Sequence, residues 1–200
     1  MFLSSAEIAR GTQGALRLLQ RDPQAPLHFD NTIEACLRSF RVMLLAAPLH
    51  AIYMAINYSF VEVAADDWEI VIFEALHYVV DWLLYPVLFY EIARRYRWLD
   101  RYPRYISALN WINFPATGLL IVGAVIETAL PSSTESVWPL FLLLALQGFL
   151  FYWFFTTTRM ILGVAWPIAA VLTVVVGWVP SYFLSLIVDR FLGVAPLAGS

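Results

Sequence analysis

Five stretches of roughly 20 residues, each almost free of charge, decide what this chain can fold into. They run over residues 42–61, 68–90, 105–126, 137–157 and 161–187. A bilayer hydrocarbon core is about 30 Å thick, and an α-helix crosses it in about 20 residues. Hydrocarbon offers the backbone no hydrogen-bond partner, so a spanning segment is either a helix or a strand of a closed barrel. The alternation that barrel strands need is missing, which leaves an all-α, polytopic membrane helix bundle of five spans. Composition agrees: 61% of residues are hydrophobic and 14% charged, with a mean hydropathy of +0.71. A soluble domain sits near ~45–50% and ~25%. The organisation read from this pattern is a cytoplasmic amphipathic segment over 1–30, the transmembrane domain over 31–190 and a short external tail over 191–200. Only Thr158, Arg159 and Met160 separate the last two runs, which predicts a tight antiparallel hairpin there.

The charges fix an orientation. All 12 basic residues are arginine. Arg10, Arg17, Arg21, Arg38 and Arg41 precede the first span, Arg94, Arg95, Arg97, Arg101 and Arg104 join the second to the third, and Arg159 joins the fourth to the fifth. The alternate loops are acidic, with Glu62, Asp66, Asp67 and Glu69 in one and Glu127 and Glu135 in the other. The positive-inside bias therefore predicts a cytoplasmic N-terminus and a periplasmic C-terminus in a bacterial inner membrane. The absence of lysine is the pattern expected from the coding bias of a GC-rich bacterial genome. A net charge of −3 gives no global basic excess, so no nucleic-acid partner is expected. The lone Cys36 makes no internal disulfide. Residues 1–30 lack the unbroken apolar core of a cleaved signal peptide.

That N-terminal segment reads as an amphipathic helix over Ala6–Gln20, capped by Ser5. Ile8, Thr12, Ala15, Leu16 and Leu19 share one face and Arg10, Arg17 and Arg21 the other. Two placements fit: flat on an anionic membrane surface, or docked on protein. Gly11 and Gly14 weaken the helix in both. Asn31 with Glu34 predicts a capping box for a second helix that continues into the first span, with Ile33, Leu37 and Phe40 on one stripe.

Polar residues at bilayer depth need a partner or a purpose. The second span carries Glu74, His77 and Asp81 on one face, the first carries His50 and Asn57, and the third carries Asn110, Asn113 and Thr117. Gln147 lies in the fourth. Antiparallel hairpins bring His50, His77, Asp81 and Asn113 to one level near mid-membrane, with Glu74 and Asn57 in a layer nearer the outside. Such a cluster fits either interhelical hydrogen bonding or a protonation relay. Glu74-x-x-His77 has the spacing used in di-iron bundles but occurs once. No metal and no cofactor is expected.

Three further patterns complete the reading. Ala47, Ala51 and Ala55 form a small-residue stripe for helix packing. The arginine-rich loop, interleaved with Tyr96, Trp98, Tyr102 and Tyr105, sets topology and attracts anionic lipid. The aromatic run Phe149–Phe155 faces lipid, core or a partner. No phosphate-binding Gly-rich loop, Gly-x-Ser-x-Gly or His-Glu-x-x-His occurs, and the chain is not expected to be an enzyme.

The run Leu37-Arg38-Ser39-Phe40-Arg41 leading to Pro48, and Asn110-Trp111-Ile112-Asn113 opening the third span, carry a resemblance. Over residues 30–188 the layout resembles the Yip family of five-helix membrane proteins and its bacterial relatives. The Asp-Leu-Tyr-Gly-Pro signature of the eukaryotic members is missing, so no Rab-related role is carried over. The resemblance implies a membrane scaffold with no catalytic residues to transfer. The function expected first is therefore a non-enzymatic accessory, assembly or scaffold subunit. Its partners would be anionic lipids and other membrane subunits or a second copy. The alternative is a small proton- or ion-coupled transporter or channel component built on the His/Asp/Glu cluster.

Overall fold

The computed structural model describes residues 3–129 and 138–196. It is an all-α bundle in which five helical stretches are long and apolar enough to cross a membrane. In chain order the elements are α1 (Ser5–Leu19), a 3-10 turn (Ala25–His28), α2 (Ile33–Ser39), α3 (Val42–Tyr58) and β1 (Val61–Val63). Then come α4 (Asp67–Arg95), α5 (Tyr102–Ala129) and α6 (Trp138–Leu162). The last span is α7 (Trp166–Val171), a π-helical segment (Leu172–Trp178) and α8 (Val179–Leu192), followed by β2 (Val194–Pro196). Helix α5 lies at the centre: α1, α2, α3, α4 and α6 all pack against it, while α8 packs against α4.

Helix α4 starts and stops where its chemistry requires. Asp66 and Glu69 form a reciprocal capping box at the start of α4, and Arg94 and Arg95 sit in its last turn, matching the helix dipole at both ends. Within the last span, Pro180 has no N–H to donate to the carbonyl one turn before it. The chain widens into the π-helical segment just before that proline, and Gly177 lets the wide turn approach the Tyr85 ring.

The hairpin expected at Thr158–Met160 forms later. Helix α6 runs on to Leu162, and the reversal falls at Gly163, whose φ of +64° is the left-handed conformation that favours glycine. The three threonines do not break the helix because each hydroxyl donates back to a carbonyl one turn earlier: Thr156 to Tyr152, Thr157 to Trp153 and Thr158 to Phe154. The external tail is also shorter than expected. Helix α8 continues to Leu192, and Val194–Pro196 then pairs antiparallel with Val61–Val63, two segments read as loop and tail. The Glu135 assignment and the first residue of the fourth span, Val137, lie outside the described residues, as do residues 197–200.

The N-terminal segment differs most from its reading. Helix α1 is capped by Ser4, not Ser5: the Ser4 hydroxyl accepts from the Glu7 N–H, and the Glu7 carboxylate accepts from the Ser4 N–H. Its buried face is Gly11, Gly14, Ala15 and Leu18, one step round from the predicted stripe, and Leu16 is exposed. The two glycines decide this. A Cβ on Gly11 would overlap the Trp111 indole, and one on Gly14 would lie 2.6 Å from His28 Cβ. Positions that read as helix-weakening are the contact surface. The helix therefore docks on α5 and α6, the second of the two placements, with the buried Trp153 Nε1 donating to the Ala15 carbonyl at 2.9 Å. At α2, Thr32 is the cap, and Asn31 instead spans to the α4–α5 loop, reaching the Asp100 carbonyl and the Arg104 N–H.

Candidate functional site

The two ends of the bundle carry opposite charge, as the arginine count foretold. At one end the N-terminal segment, the α4–α5 loop and the α6–α7 turn meet. Arg104 Nε donates to the Phe29 carbonyl at 3.0 Å, and Arg101 donates to the Leu162 carbonyl. Arg10 pairs with Asp30 at 2.8 Å and Arg17 with Asp22 at 3.3 Å, while Arg21 lies over the Tyr152 ring. Of the five loop arginines, Arg101 and Arg104 thus tie elements together. Arg94 pairs within its own helix with Glu91, and Arg95 and Arg97 are exposed. Glu7, at this end, is held below the ordinary carboxylate range by its bonds from the Ser4 backbone and side chain, and less by Arg38. At the other end lie β1, β2 and the acidic start of α4.

Between the ends, α3, α4, α5, α6 and α8 surround a chamber of about 670 Å³, within the size range of small-molecule sites. His50 is the middle residue of α3 and Asp81 the middle residue of α4, and both line the chamber. Of the seven polar residues singled out from sequence, His50, Asn57, Glu74, His77, Asp81 and Asn113 line it. The seventh, Asn110, does not. It faces α2, donating to the buried Ser39 hydroxyl at 2.9 Å. The structure places Glu74 and His77 in one network: His77 Nδ1 lies 3.2 Å from one Glu74 oxygen, and the Tyr58 hydroxyl donates to the other at 2.6 Å. His50 stacks on Tyr78 with ring centroids 4.5 Å apart. Among the described residues, three polar atoms are buried without a hydrogen-bond partner: Thr12 Oγ1 on α1 and, in the chamber, His50 Nε2 and Asp81 Oδ1. That is an expensive state at bilayer depth.

Sequence reasoning missed several of the chamber's groups. Tyr58 belongs to it, as do Ser181, Ser185 and Asp189 on α8. Asp189 carried no role in the sequence reading. Its spacing of four from Ser185 and eight from Ser181, one helix face, was the available signal. Among the described residues, no group of three or more His, Cys, Asp or Glu side chains is arranged to hold a metal ion.

The small-residue stripe does not pack inside the chain. Ala51 and Ala55 are exposed and Ala47 half-buried, whereas Val42 and Ala46 form the contact of α3 with α5. The correct register is set by Ser39, whose bond from Asn110 fixes which face of the α2–α3 stretch turns inward.

Fold and site together define a multi-pass α-helical membrane protein with a partly open chamber between its spans, lined by polar and apolar side chains. Comparison with protein-family models, curated proteins and solved structures finds no match to this chain.

Proposed function

We propose that this protein resides in a bacterial inner membrane, N-terminus cytoplasmic and C-terminus periplasmic, and that it moves a proton or small cation through its chamber. The arginine-rich end then faces the cytoplasm, in keeping with the positive-inside bias. The observation that supports the reading is the chamber's unpartnered chemistry. His50 Nε2 and Asp81 Oδ1 sit at mid-span, beside the bonded Tyr58–Glu74–His77 trio. Side chains serving only to hold helices together satisfy one another, and an orphaned acid and imidazole at the same depth are suited to taking up a positive charge. The reading is that of a proton- or ion-coupled transporter or channel component, non-enzymatic, with the helices and the surrounding lipid as its scaffold.

The test is reconstitution of the full chain in liposomes with a pH-sensing dye and imposed proton, sodium or potassium gradients. Flux through the wild type, lost in Asp81→Asn with folding retained, is the expected result. A wild type that passes none of these cations overturns the proposal.

A second reading, an accessory or assembly subunit like that implied by the Yip resemblance, draws on the α3 surface. Ala51 and Ala55, with Ile52 beside them, leave a face that no helix of this chain covers among the described residues. Small residues in that pattern admit close approach of a second helix. Cross-linking from Ala55→Cys in native membranes tests it: a defined partner supports this reading, and only lipid-diluted, nonspecific products count against it.

A further inference from the structure

A second cavity, of about 210 Å³, opens off the chamber, walled by α4, α5, α6, α8 and the π-helical segment. Asp81, Trp82, Asn113, Phe154, Trp178 and Ser181 line both spaces and form the neck between them. The volume lies below that of drug-sized sites, so an occupant has only a few heavy atoms. Five aromatic side chains line the cavity: Trp82, Tyr85, Tyr105, Phe154 and Trp178. Asp81 is the only charged side chain among the described residues that line it. Its Oδ1 is buried without a hydrogen-bond partner. The π-helical segment supplies Thr173, Gly177 and Trp178 to the wall, and wide turns of that kind recur at functional sites.

The hydroxyls of the cavity decide which charge it takes. Thr158 gives its only hydrogen to the Phe154 carbonyl at 2.8 Å, so it accepts from the Tyr105 hydroxyl, also 2.8 Å away. Tyr105 then has no hydrogen left for Tyr85, and the 2.6 Å bond between the two is donated by Tyr85. Thr173 and Ser181 give their hydrogens to the Ala169 and Gly177 carbonyls. These five hydroxyls therefore offer a ligand lone pairs only. Lone pairs beside a carboxylate repel an anion and reward a cation that carries N–H donors. Aromatic walls add cation–π attraction and shelter an alkyl group. We infer that this cavity binds a small primary alkylammonium ion, with its ammonium at Asp81 in the neck and its alkyl end toward the rings. The three N–H donors of such an ion are shared between the Asp81 carboxylate and lone pairs such as that of Ser181, which lines the same neck. A hard metal cation needs about six oxygens at close range. An alkylammonium uses oxygens and rings together, and both are what this wall supplies. Its binding requires no transport through the chamber and is measured without it.

Isothermal titration of the full-length protein in detergent, at neutral pH and fixed ionic strength, compares ethylammonium with ethanol, tetramethylammonium and sodium. A primary amine is protonated there, as the lysine side chain is. The expected result is saturable binding of ethylammonium and none of ethanol. Tetramethylammonium, which has the charge but no N–H, is expected to bind about tenfold more weakly. Asp81→Asn should abolish ethylammonium binding, and Trp178→Leu should weaken it about three- to tenfold through the lost ring. Glu62→Gln, which neutralises an exposed carboxylate of β1 at the acidic end, should bind as wild type does. Thermal unfolding checks that each variant folds. The site is overturned by a titration without binding, by ethanol bound as tightly as ethylammonium, or by a folded Asp81→Asn that binds normally. Equal losses in Glu62→Gln and Asp81→Asn would mean diffuse attraction to the acidic end, and overturn it too. Tetramethylammonium matching ethylammonium, or sodium displacing ethylammonium at equal concentration, overturns the primary-ammonium assignment. A wild type that conducts cations in liposomes but binds no alkylammonium sinks this inference and leaves the transport proposal standing. Binding without conduction does the reverse.

Discussion

The arginine end and the chamber are built from the same long helices, yet they satisfy their polar groups to different degrees. At the arginine end, the stretch Tyr105–Ile112 of α5 is buried residue after residue, and its neighbouring polar groups are mostly paired, with Thr12 Oγ1 on α1 the exception. Asn110 reaches Ser39, Trp153 reaches Ala15 and Arg104 reaches Phe29. Half a span away, the chamber leaves His50 Nε2 and Asp81 Oδ1 without partners. The difference teaches that the stability of this molecule is concentrated at one end, which holds the helices in place while the other carries groups that folding alone would not retain.

Substitutions sharpen that contrast. The largest effect is expected from Trp153→Ala, which empties a nearly fully buried indole site between α1 and α6. Loss of about 3–5 kcal/mol should appear in denaturant or thermal unfolding. Gly11→Ala drives a methyl into the Trp111 ring and should cost about 1–3 kcal/mol. Faster tryptic cleavage after the half-buried Arg17 would report the undocked helix. Asp81→Leu is expected to act in the opposite direction, unfolding at the same temperature as wild type or higher, because it removes an unpartnered polar atom at a gain of about 1 kcal/mol. A loss of several kcal/mol there would break the contrast and return Asp81 to a purely structural role. The smallest effect concerns pH. Glu7 titrates lower in the folded state than unfolded, so its contribution to α1 is fully present above the ordinary carboxylate range and lost as pH falls through its lowered value. Acid-induced fraying of α1, followed by tryptophan fluorescence, should therefore shrink in Glu7→Gln.

Much of this was legible in the sequence. Long apolar runs interrupted by charge gave the five spans, because hydrocarbon enforces helix length with little regard to tertiary detail. The seven-residue spacings of His50 with Asn57 and Glu74 with Asp81 placed those four on chamber-facing surfaces, since helical periodicity survives in any environment. What escaped was whatever depends on a neighbour. Gly11 and Gly14 read as weak helix formers until Trp111 and Phe29 are placed against them. Asn110 shares its helix with Asn113, yet three residues of rotation take it to Ser39. Tyr58 and Asp189 lie near the ends of their helices, and only the packing of α3 on α5 and of α8 on α4 turns them inward.

The central claim is that a polar chamber reaches mid-membrane from the acidic end. The most direct test places single cysteines at Asn57, Ser185 and Asp81 in a Cys36→Ser background and exposes intact proteoliposomes to a membrane-impermeant thiol reagent. The account predicts labelling at all three positions from the acidic-end side, slowest at Asp81, and none at a lipid-facing Val87→Cys. Asn57, Ser185 and Asp81 all as unreactive as Val87, in a protein that still folds, would contradict it.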